Sequence, residues 1–218
     1  MKEKPGPPIL AAVASVGILY MDFVTSGVRN AWFSDYPGNL RVLCSLVFII
    51  SLWSSSTLFL FYGMRNETYP NPFGGPAAYA KPHTLLCVLI IICITAVMWV
   101  LNGGPKPLKE LQYFLAFGKT AGWIGFMLQI IYYILEMLLA LMIVYYSQAT
   151  GELLTGKKNI PWGSMVLSLT WGLPHIFTKN VSVGMFSLIF GVALGGLYLL
   201  SGRNGKVALL YMCIAFIL

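Results

Sequence analysis

Seven stretches of this chain are apolar over the length of a helix, and polar or turn-forming residues separate them. The first, ILAAVASVGILYMDFVTSGV, predicts a transmembrane helix over about residues 8–28. It follows a short polar start, MKEKPGPP, and no small-residue cleavage site marks it as a signal peptide. RVLCSLVFIISLWSSSTLFLFYG predicts a second helix over about 41–63, and TLLCVLIIICITAVMWVLNG a third. The fourth run, GWIGFMLQIIYYILEMLLALMIVYY, is long enough to cross a hydrocarbon core about 30 Å thick. A polar turn, SQATGELLTGKKN, joins it to the fifth, PWGSMVLSLTWGLPH. VSVGMFSLIFGVALGGLYLL is the sixth. The last, VALLYMCIAFIL, covers only about 18 Å as helix, so it is half-inserted or the chain continues past Leu218.

The connectors read differently from the runs. NAWFSDYPGN is rich in aromatic and turn residues and suits a membrane interface. RNETYPNPFGGPAAYAKPH holds four prolines and cannot be a span. PLKELQYFLAF has helical spacing with one charged face, which predicts a helix lying on the interface. The expected fold is therefore an all-α polytopic transmembrane bundle of about seven segments, with no strands of consequence. A single integral membrane domain spans residues 1–218, in what is expected to be a bacterial plasma membrane.

Polar residues set inside the apolar runs are the candidates for chemistry. Glu136 is the acid most deeply embedded, and a carboxylate near the bilayer centre costs about 2.5–3.5 kcal/mol on insertion scales. It is expected to face protein and find a partner there. His175 closes the fifth run. At 1.5 Å per residue Glu136 lies about 18 Å from Gln148, and His175 about 21 Å from Pro161. Both therefore reach a similar depth from one membrane face. Gln129, Tyr132, Tyr133 and Glu136 share one helix side, as do Ser164, Ser168, Trp171 and His175. Direct or water-bridged contact between Glu136 and His175 is expected; a buried pair that merely orders two helices is the structural alternative.

Other positions carry lesser signals. Pro174 is expected to kink the fifth helix and free the Thr170 carbonyl for a Ser, Tyr or water. Gly191 and Gly195 form a GxxxG, with Gly196 adjacent, which predicts close helix packing. The cluster Ser54, Ser55, Ser56 and Thr57 suits back-bonding or interhelical contact. Asp22, with Ser26 and Arg29 after it, is read as an interfacial acid near a helix end. His83 is read as a solvated loop histidine. Asn66-Glu67-Thr68 and Asn180-Val181-Ser182 match glycosylation sequons, which matter only in a eukaryotic secretory setting.

Composition agrees with the pattern. Hydrophobic residues make up 58% and charged residues 10%, far below the roughly 25% charge of a soluble domain. The net charge of +7 is spread over short loops. That spread suits a lipid bilayer with anionic headgroups and excludes a compact nucleic-acid patch. Cys44, Cys87, Cys93 and Cys213 all lie in apolar runs without CxxC spacing, as buried small hydrophobes would. With the N-terminus inside, Lys2, Lys4, Arg65, Lys81, Lys157, Lys158, Arg203 and Lys206 fall on the cytoplasmic side, a slight excess over the opposite face.

From Glu136 onward the order is an acid-bearing helix, a turn, TWGLPH, then FSLIFGVALGGLYLLSGRNGKVALLY. This order resembles the CPBP (Abi, CAAX protease and bacteriocin-processing) family of intramembrane metallopeptidases, over about residues 121–218. The family carries Glu-Glu-x-x-x-Arg on one helix, Phe-x-x-x-His on the next, a glycine-bearing helix, then His-x-x-x-Asn. Glu136 matches one acid of the first motif, flanked by Leu135 and Met137; neither Ala140 nor Leu141 supplies the arginine. His175 matches the second motif, with Trp171 where phenylalanine is usual. Tyr211 and Ala215 stand where the third motif's ligands belong.

The resemblance implies catalytic roles for Glu136 and His175, with His175 also a metal ligand; in the degenerate reading both are vestigial because the ligand set is incomplete. A catalytic zinc takes three protein ligands and a water position, and the only other histidine, His83, is in a loop. Three readings follow. The chain is a catalytically degenerate CPBP-like protein that binds a peptide or membrane-protein partner, with no cofactor. Alternatively it is an active zinc-dependent intramembrane endopeptidase with an unusual site. In the third reading the resemblance is accidental, and the chain is a small membrane carrier or channel subunit.

Overall fold

A computed structural model describes residues 6–73 and 83–218. Part of the proline-rich connector, and Lys2, Lys4 and Lys81 of the orientation count, lie outside the described residues. The helices are α1 (Gly6–Trp32), α2 (Gly38–Arg65), α3 (Thr84–Asn102), α4 (Lys106–Leu115), α5 (Lys119–Thr155), α6 (Trp162–Leu167), α7 (Pro174–Thr178), α8 (Val181–Leu200) and α9 (Gly205–Ile217). A π-helical turn, Ser168–Gly172, joins α6 to α7. No strand occurs among the described residues. Five helices, α1, α2, α3, α5 and α8, are long and apolar enough to cross a membrane. The chain is an all-helical membrane protein. The fifth and seventh expected segments are the exceptions: one is interrupted and the other, α9, has 13 residues.

Helix α5 is the axis of the bundle. Leu139 to Val144 are all buried in succession, as in a helix apolar all round and enclosed on every side. Helices α1, α2, α4, α6, α8 and α9 all pack on it. Its length also corrects the sequence reading, since α5 runs on through most of the expected polar turn to Thr155. The turn residues are satisfied as helix. Gln148 donates to the Ile160 carbonyl at 2.9 Å and accepts from the Gly163 amide at 3.0 Å. Glu152 pairs with Arg203 at 2.8 Å. Gly156 then ends the helix with φ 70°, a left-handed conformation that glycine adopts without a Cβ penalty.

Where a kink is expected, the structure has a change of helix type. Leu173 N–H reaches back five residues to the Ser168 carbonyl at 3.0 Å, and Pro174 opens α7. Proline has no N–H for the Thr170 carbonyl, and the Tyr20 hydroxyl of α1 donates to that carbonyl at 2.7 Å. Tyrosine is thus the partner the sequence left open.

Small residues let α8 lie directly on this broken segment. A Cβ on Gly191 would stand 2.8 Å from Ser168 Cα, and one on Gly172 would stand 2.7 Å from the Ser187 carbonyl oxygen. Gly195 faces Ser164 in the same way, whereas Gly196 has nothing near it. The GxxxG therefore packs as expected, through Gly191 and Gly195. Helix α4 docks on α5 by a similar device, its buried Phe114 seated against Gly125.

Two readings need correction. Cys87 is buried, but Cys44 and Cys213 are half-buried and Cys93 is exposed on α3. An exposed thiol at such a position is cheap where the surroundings are apolar. Asp22 is not at a helix end, because α1 continues to Trp32, ten residues further along. His83 is exposed, as expected, and its amide donates to the Leu200 carbonyl at 2.8 Å.

Candidate intramembrane binding site

Glu136 is buried in the middle of α5, facing protein. Its partner is the Trp171 indole, whose Nε1 donates to Oε1 at 2.8 Å. Trp171 is carried by the π-helical turn. A π turn shifts the register of the side chains that follow, which re-aims them relative to a continuous α-helix. His175 lies one turn on, its ring tilted at 55° against the Trp171 ring with centroids 4.9 Å apart. Its Nδ1 is 2.7 Å from the Trp171 carbonyl oxygen. A carbonyl only accepts, so Nδ1 carries the proton and Nε2 is the free acceptor.

The sequence brought Glu136 and His175 to the same depth, and both line the same cavity. The ion pairs among the described residues are Arg29–Asp22 and Arg203–Glu152; Glu136 and His175 do not form one. Trp171 stands between them, bonded to one through its indole and to the other through its carbonyl.

The cavity is about 1210 Å³. Its mouth is made by helix ends: Arg29 of α1, Arg41 of α2, Asn102 of α3, Lys106 of α4 and Lys179 just before α8. Ile49, Met98, Phe186, Phe190 and Phe216 form apolar walls, and Glu136 and Trp171 lie on the inner side. A second chamber of about 310 Å³, bounded by Leu19, Tyr20 and Trp53, shares Asp22, Tyr132, Glu136, Trp171, His175 and Lys179 with the first. The Glu136–Trp171 bond thus belongs to the walls of both. Trp53 stacks on Tyr132 at 4.9 Å, and its buried indole N–H has no partner among the described residues.

Sequence reading missed several of these residues. Asp22 lines both chambers and pairs with Arg29 at 2.7 Å. Lys106 sits over the rings of Tyr133 and Phe216, 3.9 and 3.8 Å from their centroids, and donates to the Phe216 carbonyl at 3.0 Å. Burial pulls its ammonium down to about 8, against the upward pull of the Glu136 and Glu110 carboxylates. Glu110 accepts from Tyr133 at 2.5 Å, which ties α4 to α5. The seven-residue spacing of Asp22 and Arg29 was the one available signal, since it places them two turns apart on one helix face.

A catalytic zinc needs three protein donors. Among the described residues no three His, Cys, Asp or Glu side chains converge as a metal would need. The group hydrogen-bonded to Glu136 is an indole N–H, which donates and cannot ligate. This donor set does not fit the zinc that the resemblance implies. Ala215 is buried and Tyr211 half-buried on α9, and it is their neighbour Phe216 that reaches the cavity. No protein-family model, curated protein or solved structure matches the chain.

Proposed function

We propose that this protein is a non-catalytic ligand-binding membrane protein, a degenerate relative of the CAAX-type intramembrane peptidases. It holds a peptide or lipid-linked partner in the cavity beneath the helix ends without hydrolysing it. On this reading the α6–α7 segment and α9 complete a bundle of seven membrane segments, in a bacterial plasma membrane.

The observation that carries the reading is the engagement of Glu136. A general base for hydrolysis must present its carboxylate to a water, whereas Glu136 accepts a hydrogen bond from Trp171 at the inner wall of a cavity with apolar sides. Such a cavity, mostly apolar with a few convergent polar groups, has the character of a ligand site.

The test is zinc content by mass spectrometry of the purified protein, together with chelator-sensitive cleavage of membrane peptides. Little zinc and no such cleavage are expected, with Glu136→Gln and His175→Ala altering stability or partner binding instead. Near-stoichiometric zinc, lost together with cleavage in both variants, would establish the active endopeptidase. The two chambers meeting at one wall favour the carrier reading as the remaining alternative, and solute flux in proteoliposomes, blocked by Trp171→Phe, would establish it.

A further inference from the structure

The charge at the cavity mouth specifies more than a hydrophobic occupant. Arg29, Arg41, Lys106 and Lys179 line the cavity, and the acids that line it are Asp22 and Glu136. Four cations face two carboxylates, and the carboxylates are already engaged. Asp22 is held by Arg29 and Glu136 by Trp171. Arg41 spends its Nε and one terminal nitrogen on the carbonyls of Phe33 and Ser34. The guanidinium has five N–H donors, so it retains capacity for an acceptor. Lys179 is exposed at the mouth and lines both chambers.

Below these cations the wall turns apolar. Ile49, Met98, Phe186 and Phe190 belong to helices of the membrane region, and the two acids in the lining, Asp22 and Glu136, each already have a partner. Positive charge at the level of the helix ends, above an apolar pocket, matches an amphipath whose head is anionic and whose tail is hydrocarbon. Basic pockets between membrane helices recognise anionic lipid heads by this arrangement. A volume of about 1210 Å³ also exceeds what a free phosphate ion would occupy.

We propose that the cavity is a binding site for an anionic phospholipid, with its phosphate among Arg41, Lys106 and Lys179 and an acyl chain along Ile49, Met98 and Phe190. This deepens the ligand-binding reading above and rests on it. Phosphate oxygens accept charge-assisted hydrogen bonds from guanidinium and ammonium groups. Asp22 keeps Arg29 in place at the rim, and the carboxylate of Glu136 is set inward, so neither acid opposes the head at the mouth.

The experiment is native mass spectrometry of the full-length protein in a neutral detergent. Phosphatidylglycerol, phosphatidylcholine with the same chains, and inorganic phosphate are titrated in parallel. The expected result is retention of phosphatidylglycerol about tenfold above phosphatidylcholine, and no retained phosphate ion. Each cation near an anionic lipid head changes affinity by about fivefold, so Lys179→Gln is expected to cut the preference by about that factor. Lys179→Glu should cut it further with thermal stability unchanged, because the exposed Lys179 side chain takes no part in the packing. Arg41→Gln is the second variant. A cavity-filling Ser45→Phe on α2 separates the two levels of the argument.

If Ser45→Phe abolishes binding of both lipids while wild type does not distinguish them, the head assignment is overturned and the cavity reading stands. Lipid retention untouched by Ser45→Phe would overturn both. Inorganic phosphate bound as tightly as phosphatidylglycerol, or a hydrophobic peptide displacing the lipid equally well in wild type and Lys179→Glu, would also overturn the phospholipid assignment.

Discussion

The Trp171 indole donates to the Glu136 carboxylate at 2.8 Å across the α5–π-turn interface. It is the contact that makes a buried acid tolerable in the middle of an apolar helix. Hydrogen bonds to charged groups contribute about 1.5–3 kcal/mol, and a buried acceptor stripped of its donor loses at least that much. Trp171→Phe should therefore lower thermal stability in detergent by about 2 kcal/mol or more. Glu136→Gln should cost less, because an amide oxygen still accepts from the indole. If the order were reversed, with Trp171→Phe harmless, the partnership described here would be wrong.

Tyr20 and Pro174 should be coupled, although their side chains belong to different helices. Tyr20→Phe alone removes the donor to the Thr170 carbonyl and should cost about 1 kcal/mol. In a Pro174→Ala background the new amide can serve that carbonyl, and Tyr20→Phe should cost close to nothing. A double-mutant cycle on unfolding free energies measures the interaction term directly. Additive effects would show that Thr170 does not link the two.

Two glycines on α8 offer a controlled comparison. Gly191→Ala places a Cβ 2.8 Å from the Ser168 backbone, a clash that overpacking data put at about 1–3 kcal/mol. Gly196→Ala meets nothing within 4 Å and should stabilise α8 by up to about 1 kcal/mol through helix propensity. Melting temperatures moving in opposite directions are the expected readout. Equal shifts would mean that α8 does not rest on the π turn as described.

Lys106 should titrate well below an ordinary lysine. Its amine, moved from 10.5 to about 8 by burial, lies among Tyr133 and Glu136 of α5, Phe216 of α9 and Glu110 of its own helix. The sign follows from the direction of the shift. Between about 8 and 10.5 the unfolded chain holds more protons on this group than the folded one, so its contribution to stability rises with pH across that window. Reductive methylation with carbon-13 and NMR titration of the dimethylamine gives the value. Glu136→Gln removes an upward influence and should move the midpoint lower still; an upward move would contradict the arrangement.

Much of the architecture was legible because membrane helices announce themselves by apolar length. The five long helices fall where the runs of apolar residues place them, and Glu136 faces protein for the reason its burial cost dictates. The chemistry of the site was less legible. Depth counting assumes a continuous α-helix at 1.5 Å per residue, and the π turn at Ser168–Gly172 breaks that assumption just before His175. Trp171 was placed on the correct row, but the sequence could not tell that its indole would reach Glu136 first. Helix α5 outran its predicted end because Gln148 and Glu152 find partners in residues Ile160, Gly163 and Arg203. Those partners are close in space and invisible to a local pattern. Asp22 was read as an acid near a helix end, whereas α1 continues ten residues past it and it lines both chambers.

Helix α5 has 37 residues, about 55 Å of continuous helix, against a hydrocarbon core of about 30 Å. It carries Glu136 near its middle and, about 24 Å further along, the Glu152 carboxylate that grips Arg203 in the turn between α8 and α9. A rod of this kind cannot bend locally without breaking its own hydrogen bonds, so displacement at one point is delivered to the other. An occupant that pushes on α5 beside Glu136 would be registered at the Arg203 clamp, at the opposite end of the helices whose other ends form the cavity mouth. The Arg203 clamp and the cavity mouth thus lie at opposite ends of the bundle, joined by one continuous helix.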